Sequence, residues 1–167
     1  MEQLRKKAEI LGISLTEQQC LQFQKYYEYL IEKNKVMNLT GITEKEEVID
    51  KHFIDSLGLA AKMDLTKPLT VLDLGTGAGF PGIPLKIAFP NLTITLLDSL
   101  NKRIKFLDEV IDLLGLTGIE TIHGRAEDYA KPGKLREQFD LCVSRAVANL
   151  SSLSEYCIPY VKEGGYF

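Results

Sequence analysis

The chain has 167 residues, 45% of them hydrophobic, and a formal net charge of −3 at pH 7. This length and composition predict one globular domain with a short addition. The net negative charge excludes a positive electrostatic potential over the whole surface, so any contact with nucleic acid must depend on local positive charge. The three cysteines form no C-x-x-C pair, which argues against a disulfide framework and against a metal site. The chain opens without a signal peptide and has no apolar run of bilayer length, so we expect a cytoplasmic protein without membrane association.

The first third of the chain has the hydrophobic periodicity of helices. Leu4 and Ala8 share one face of a first helix, which Gly12 is expected to end. Thr16 and Gln19 have the spacing of a capping box that opens a second helix. The stripe of this helix predicted to face the core is Cys20, Phe23, Tyr27, Leu30 and Ile31.

A turn over 34–41 is followed by the pattern of a third helix, over about 43–63. Four positions of this helix are expected to face inward: Val48, His52 or Phe53, Leu57 and Ala60. We therefore expect residues 1–66 to form a helical extension that packs on a core formed by residues 67–167.

After Pro68 the period changes from helical to strand-like. Four strands are predicted over about 69–74, 92–97, 119–123 and 139–144, with helices over about 82–88, 101–114 and 150–161. Strands that alternate with helices of this length predict an α/β, Rossmann-like fold with a mostly parallel sheet. Gly164 and Gly165 are typical of a turn before a fifth strand that has only two residues, so we expect an incomplete C-terminus and an unpaired edge on the fourth strand.

Residues 71–82, VLDLGTGAGFPG, carry the clearest indication of a ligand site. A glycine-rich loop between a strand and a helix is where α/β proteins bind nucleotide-like cofactors, because glycine lets the backbone turn sharply against a ligand. Two interpretations fit the spacing. Gly77, Gly79 and Gly82 match the dinucleotide pattern G-x-G-x-x-G, whereas Asp73 with Gly75, Gly77 and Gly79 resembles the first motif of methyltransferases that use S-adenosylmethionine (SAM).

Polar residues follow the next two predicted strands. Asp98 ends the second strand, where a carboxylate can accept both ribose hydroxyls of NAD or of SAM, or can instead cap the following helix. Ala126, in the polar segment after the third strand, has a backbone amide that can read the edge of an adenine, which favours SAM. The alternative is that Glu127 and Asp128 simply begin a helix.

The fourth strand is followed by Ser144 and Arg145. This turn lacks the Asn/Asp-Pro-Pro-aromatic tetrad of methyltransferases that act on exocyclic amines, and it lacks a Pro-Cys pair for attack on pyrimidine C5; Cys142 is expected in the core. Arg145 indicates the binding of an anion, either a phosphate or the SAM carboxylate, with a surface salt bridge as the alternative.

Together these segments resemble the bacterial 16S ribosomal RNA guanine-N7 methyltransferases, the glucose-inhibited division protein B family. The matching segments are 38–40, 52–57, 73–82, 98–103, 125–127 and 144–146. The resemblance implies a class I SAM-dependent methyltransferase fold, SAM as the cofactor, and 16S rRNA or an assembling small ribosomal subunit as the partner. It also implies that the family fold continues beyond Gly165 with further strands.

The resemblance also implies a role for individual residues. Gly75 and Phe80 would border the SAM site, with the loop through Gly77 and Gly79 near the methionine portion. Asp98 would hold the ribose, and Ala126 with Glu127 would contact the adenosine. Arg145 would lie at the mouth of the cofactor and RNA sites.

The expected chemistry needs no general base, because N7 of a neutral guanine already carries a free lone pair. Attack on a sulfonium methyl group then depends mainly on orientation, and His52 is interpreted as a packed residue. Three local clusters of positive charge are candidates for RNA contact, although each can equally be a solvated helix face: 5–7, 33–35 and 102–105. Other hypotheses are a methyltransferase with a different substrate, an NAD-dependent oxidoreductase, and a non-catalytic chain that binds cofactor or RNA. We expect a monomer.

Overall fold

The computed structural model describes residues 1–129, 135, 137–145 and 158–166. Its centre is a sheet of five parallel strands in the order β3-β2-β1-β4-β5. The strands are β1 (Thr70–Leu74), β2 (Thr93–Asp98), β3 (Ile119–His123), β4 (Phe139–Val143) and β5 (Val161–Tyr166). The strand order changes direction at β1 and β4, so the carboxyl ends of these two strands border the crevice in which α/β proteins bind ligands.

The helices begin close to where the sequence predicts them. They are α1 (Glu2–Ile10), α2 (Glu17–Met37), α3 (Lys45–Val48), α4 (Asp55–Leu57), α5 (Gly82–Ala88), α6 (Asn101–Leu114) and α7 (Ala126–Tyr129). Gly12 has the positive φ of +80° expected after α1. The capping box of α2 is present, since the Thr16 hydroxyl accepts from the Gln19 N–H (3.1 Å) and the Gln19 side chain accepts from the Thr16 N–H (2.8 Å).

The stripe predicted for α2 is wrong by one residue. Phe23, Tyr26 and Leu30 are fully buried, whereas Tyr27 is half-buried and its hydroxyl donates to the Thr43 carbonyl (3.0 Å). Tyr26 tolerates complete burial because its hydroxyl donates to the buried carbonyl of Ala78, which lies in the glycine loop. Periodicity alone cannot locate such a partner 52 residues away.

The predicted third helix is helical over 45–61 but not uniform. A π-helical turn (Ile49–Ile54) joins α3 to α4, and a 3₁₀ turn (Gly58–Ala61) ends the segment. The wider π turn brings both His52 and Phe53 inward, where the sequence predicts only one of them. Single π turns inside helices are frequent at functional sites.

The C-terminal prediction is wrong in two respects. Residues 158–160 form a 3₁₀ turn and β5 begins at Val161, so the predicted helix does not extend to this residue; its part over 150–157 lies outside the described residues. Gly165 lies within β5, which pairs with β4, so β4 is not an unpaired edge. A Cβ at Gly165 would lie 2.7 Å from the Asp140 carbonyl oxygen, and the two strands approach closely because this atom is absent.

One hydrophobic cluster joins the N-terminal helices to the sheet. It contains Leu4 of α1, Phe23 of α2, Val71 of β1, Ile94 of β2 and Phe106 of α6. The boundary near residue 66 stays a prediction, since both of its sides share this cluster. None of the helices in the described part of the chain combines the length and the apolar character that a membrane span requires.

Candidate functional site

The glycine loop lies at the carboxyl end of β1, against the end of β2. The N–H groups of Gly75 and Thr76 both donate to the Leu97 carbonyl (2.9 and 3.1 Å), which ties the loop to β2. The loop glycines at 75, 77 and 79 have φ values of +67°, +60° and +104°, a region that side chains disfavour. The glycine pattern is therefore required by the backbone path of this loop.

Asp73 supports the glycine loop through hydrogen bonds made by its buried side chain. Its side chain is completely buried, and its Oδ2 accepts from the Thr76 hydroxyl (2.7 Å) and from the Gly82 N–H (2.9 Å). Burial raises the pKa of Asp73 to about 7, although both hydrogen bonds act in the opposite direction. The other oxygen, Oδ1, is buried and has no hydrogen-bond partner among the described residues. Asp73 thus joins the end of β1 to the loop and to the start of α5.

Asp98 connects three structural elements. Its Oδ2 accepts from the Gly77 N–H (2.8 Å), and its Oδ1 accepts from the Leu100 N–H (3.0 Å) just before α6. Its backbone carbonyl accepts from the Gly124 N–H (3.0 Å), which holds the segment after β3 beside it. Asp98 therefore lies against the glycine loop and holds the turn just before α6, but it does not cap this helix, because the N-cap is Leu100 and no side chain caps it.

The segment after β3 leads into α7, which begins at Ala126. Glu127 is exposed, and the Gly124 bond brings this segment to the same edge of the sheet as Asp98. The structure thus brings together the end of β1, the end of β2 and the start of α7. These are three of the four places to which the sequence assigns cofactor contacts, and the fourth is Arg145 at the end of β4.

A second cluster forms around Phe80. Its ring is 5% exposed and stacks on the His52 ring, with centroids 4.4 Å apart and planes at 12°. The guanidinium carbon of Arg145 lies 5.0 Å from the Phe80 centroid, within cation–π range. Arg145 Nη2 is 2.7 Å from His52 Nδ1, and Nη1 donates to the Lys51 carbonyl (3.3 Å). Arg145 is therefore held in one orientation at the end of β4.

These contacts determine the tautomer of His52. Arginine can only donate, so Nδ1 must accept and the ring proton must lie on Nε2, which is 2.8 Å from the Thr40 hydroxyl oxygen. Burial, with Arg145 as the second cause, lowers the pKa of His52 to about 4. His52 is therefore neutral at pH 7, and both of its nitrogens are engaged.

Arg145 also forms an ion pair with Asp55, whose Oδ2 lies 3.6 Å from Nη1. Sequence reasoning assigned no role to Asp55 or to Thr40, although both lie in segments that carry the family resemblance. Their link to Arg145 spans about a hundred residues of sequence, and only the folded chain reveals it.

The family model for rRNA small subunit methyltransferase G matches residues 19–167. The chain belongs to this family. It is 59% identical over 157 residues to the Ribosomal RNA small subunit methyltransferase G of Lachnoclostridium phytofermentans, and it is 55% identical over 156 residues to the protein of the same name from Exiguobacterium sp.. These matches cover 94% and 93% of this chain but 65% and 66% of the relatives, so the chain spans less than two thirds of their length.

Solved structures agree on the fold. A putative SAM-dependent methyltransferase from Methanococcus maripaludis matches with a TM-score of 0.60 and 18% identity, over 83% of this chain and 59% of that chain. A SAM-dependent methyltransferase from Aquifex aeolicus matches with a TM-score of 0.53 and 20% identity, over 71% of this chain and 63% of that chain. The predicted Rossmann-like, class I methyltransferase fold is confirmed. Family membership favours the methyltransferase interpretation of the glycine loop over the dinucleotide interpretation.

In this member of the small subunit methyltransferase G family, a pocket of about 380 Å³ opens beside Arg145 at the end of β4. It is lined by Asp55, Ser56, Gly58, Leu59, Lys62, Pro81, Val143, Ser144 and Arg145. The Ser144 hydroxyl donates to the Leu74 carbonyl (2.8 Å), which fixes this wall to the end of β1. The pocket therefore adjoins the glycine loop.

Ion pairs neutralise part of each predicted cluster of positive charge. Lys7 pairs with Asp50, Lys33 with Glu109 at 3.8 Å, and Arg103 with Asp98 at 3.6 Å. These clusters therefore provide less positive potential than their sequence suggests. The role of each cluster in RNA binding stays a prediction.

Proposed function

We propose that this chain is a SAM-dependent methyltransferase that acts on N7 of a guanine in 16S rRNA. Membership of the rRNA small subunit methyltransferase G family supports methylation of small-subunit rRNA, and the sequence resemblance supplies the guanine N7 specificity. The observation that carries the proposal is the shared edge at which the braced glycine loop, Asp98 and the oriented Arg145 meet. The proposed partner is 16S rRNA or an assembling small subunit, and the proposed state is a cytoplasmic monomer.

The residues at this edge fit a nucleoside cofactor. A Cβ built on Gly77 would meet no atom within 4 Å, so one side of the loop is open space that a ligand can enter. Oδ2 of Asp98 accepts only the Gly77 N–H, whereas Oδ1 accepts the Leu100 N–H and also pairs with Arg103, so the free lone pair on Oδ2 is the acceptor that we assign to the ribose hydroxyls. We assign Gly75, Gly77, Gly79 and Phe80 to the border of this site, Asp73 to its support, and Ala126 with Glu127 to the adenosine end.

Bound SAM supplies a methyl group made electrophilic by the adjacent sulfonium sulfur. Guanine N7 would accept this group through a lone pair that is already free, so the residues of the chain would not have to remove a proton from the base. His52 is not required as a base: Nδ1 already accepts from Arg145, and Nε2 carries the proton. The residues of the chain therefore act by orientation and charge.

Arg145 is the residue that we expect to orient substrate or cofactor. His52 and the Lys51 carbonyl anchor its guanidinium at the pocket wall, where it can bind a phosphate oxygen or a carboxylate. This anchoring also means that Arg145 loses little conformational freedom when it binds an anion.

Calorimetric titration with S-adenosylhomocysteine, with NAD as the control, tests the cofactor assignment. We expect micromolar binding of the former and no binding of the latter, and the reverse result from a folded sample would contradict the proposal. Methyl transfer from labelled SAM to small subunits from a strain without this enzyme then tests the reaction. Reductive cleavage specific for N7-methylguanosine must locate the label, and label at any other position would exclude N7 as the acceptor.

A further inference from the structure

The pocket beside Arg145 is large enough to hold one base. It lies at the end of β4, next to the glycine loop, and its volume of about 380 Å³ is within the range of ~300–1,000 Å³ typical of small-molecule sites. Pro81 and Leu59 provide apolar surface on its walls, and Asp55 and Arg145 provide opposite charges. Flat apolar surface with a few fixed polar groups is how proteins hold a base that has left its stack.

Asp55 is the one carboxylate among the described residues that line this pocket. Its side chain is 60% exposed, although it belongs to the well-packed segment that contains the buried residues Ser56 and Leu57. Its distance of 3.6 Å from Arg145 Nη1 exceeds that of a charge-assisted hydrogen bond, about 2.7–2.9 Å. The ion pair therefore leaves the carboxylate oxygens able to accept from another donor.

We propose that Asp55 selects guanine by accepting hydrogen bonds from N1–H and N2–H of the acceptor base; this inference rests on the proposed function. Guanine is the one standard base with two adjacent donors on its Watson–Crick edge, and the two oxygens of a carboxylate match them. Adenine presents an acceptor at N1, which a carboxylate repels. The Watson–Crick edge lies across the purine from N7, so binding by Asp55 leaves N7 free to react.

The charge of Asp55 also suits the reaction. Transfer of the methyl group to N7 makes the purine cationic and its N1–H more acidic, so a hydrogen bond from N1–H to a carboxylate strengthens as the reaction proceeds. An interaction that is stronger in the transition state than in the ground state raises the rate. Asp55 is therefore expected to contribute to kcat as well as to base selection.

Inosine provides a sharp test, because it has N1–H and N7 but lacks the N2 amino group. Small-subunit rRNA is ligated with guanosine or inosine at the mapped acceptor position, assembled into subunits, and methylated by the enzyme. We expect the wild-type enzyme to prefer guanosine at least tenfold in kcat/KM, since inosine loses one hydrogen bond to a charged group. Asp55→Asn is expected to lower the guanosine rate at least tenfold and to reduce this preference to less than threefold.

Asp112→Asn is the matched control, because it makes the same chemical change at an exposed position of α6 and is expected to keep the preference. Asp55→Glu keeps the carboxylate and is expected to retain part of the preference. S-adenosylhomocysteine affinity should be equal in the wild-type and Asp55→Asn proteins, which shows that the substitution leaves the fold and the cofactor site intact.

Two results would overturn the proposal. Equal rates on guanosine and inosine by the wild-type enzyme would show that N2–H is not recognised, whatever the variants do. An Asp55→Asn enzyme that is slower but keeps the wild-type preference would show that Asp55 acts only by holding Arg145. Failure of the proposed function is distinct, since the wild-type enzyme would then not methylate the guanosine substrate at all.

Discussion

Two buried titratable residues at the site have opposite effects on how the free energy of unfolding changes with pH. Asp73 has its pKa raised to about 7, so its contribution to stability is present below its ordinary pKa of 3.8 and is lost as pH rises through 7. His52 has its pKa lowered from 6.5 to about 4, so its contribution is present above pH 6.5 and is lost as pH falls through 4. The two effects partly cancel between pH 4 and 6.5, and only variants can separate them.

Asp73→Asn is expected to remove the pH dependence of stability that the Asp73 carboxyl group causes. An amide keeps one oxygen for the Gly82 N–H and carries no charge, so the variant should gain stability relative to wild type as pH rises from 4.5 to 8. The relative gain is about 1–4 kcal/mol, since one pKa unit corresponds to about 1.4 kcal/mol. Urea unfolding at both pH values measures it, with Asp112→Asn as the control for an exposed carboxylate. A difference from wild type that does not change with pH would show that Asp73 is not protonated in this range.

Asp98→Ala is expected to weaken S-adenosylhomocysteine binding at least tenfold (~1.4 kcal/mol), because it removes the proposed acceptor of the ribose hydroxyls. The variant also loses the acceptor for the Gly77 and Leu100 N–H groups, so we expect a loss of stability of about 1–2 kcal/mol. Calorimetry at a temperature where the variant is fully folded separates the two effects. Affinity equal to that of wild type would rule out Asp98 as the ribose ligand.

Arg145→Ala is expected to reduce methyl transfer far more than stability. The side chain is 29% exposed and its ion pair with Asp55 is long, but its loss leaves His52 Nδ1 without a donor, so we expect stability to fall by about 1–3 kcal/mol. Rates on small subunits and urea midpoints are compared for this variant and for Lys51→Ala, which removes another partly exposed ion pair. Parallel losses of activity and stability would identify Arg145 as a structural residue.

The glycine loop distinguishes two requirements for glycine at the scale of an element. Gly82 is needed for packing, since a Cβ there would lie 2.9 Å from Asp73 Oδ2 and would clash with the Leu96 side chain. Gly77 has open space around it and is needed for its φ of +60° and for ligand approach. Alanine substitutions at Gly82 and Gly77 therefore test packing and ligand approach separately.

Gly82→Ala is expected to lower stability by about 1–3 kcal/mol through overpacking. Gly77→Ala is expected to cost about 1–2 kcal/mol through its backbone conformation and to weaken S-adenosylhomocysteine binding at least tenfold, because the new methyl group enters the ligand space. Urea unfolding and calorimetry measure both variants. If Gly77→Ala binds like wild type, the cofactor does not contact this side of the loop.

Elements defined by local patterns could be predicted from the sequence, whereas those defined by distant contacts could not. The limits of α5 and α6 and the capping box of α2 follow from neighbouring residues. The strand over 161–166 could not be predicted, because Gly164 and Gly165 locally favour a turn and only pairing with β4 makes them a strand. The sequence indicated Arg145 as a site residue. It could not show that His52 and Asp55 hold this side chain, because both contacts join residues that are distant in the sequence.

At the scale of the whole molecule, the shared core determines how ligand binding affects stability. Helices from the first 66 residues and strands from the rest contribute to one hydrophobic cluster, so they should unfold together. A ligand that binds at the edge of the sheet then stabilises every element by the same free energy. A change in the contacts at the site would therefore shift the midpoint of one global unfolding transition.

Thermal unfolding with and without S-adenosylhomocysteine tests this coupling. At a ligand concentration of 100 times Kd, binding stabilises the folded state by about 2.7 kcal/mol. For a chain of this size, about 2–4 °C per kcal/mol predicts a rise in Tm of about 5–11 °C in a single transition. NAD at the same concentration should leave Tm unchanged, and Asp98→Ala should show a smaller rise because less of it is bound. Two transitions, with only the upper one shifted, would show that the N-terminal helices unfold independently and that the shared cluster does not couple them to the sheet.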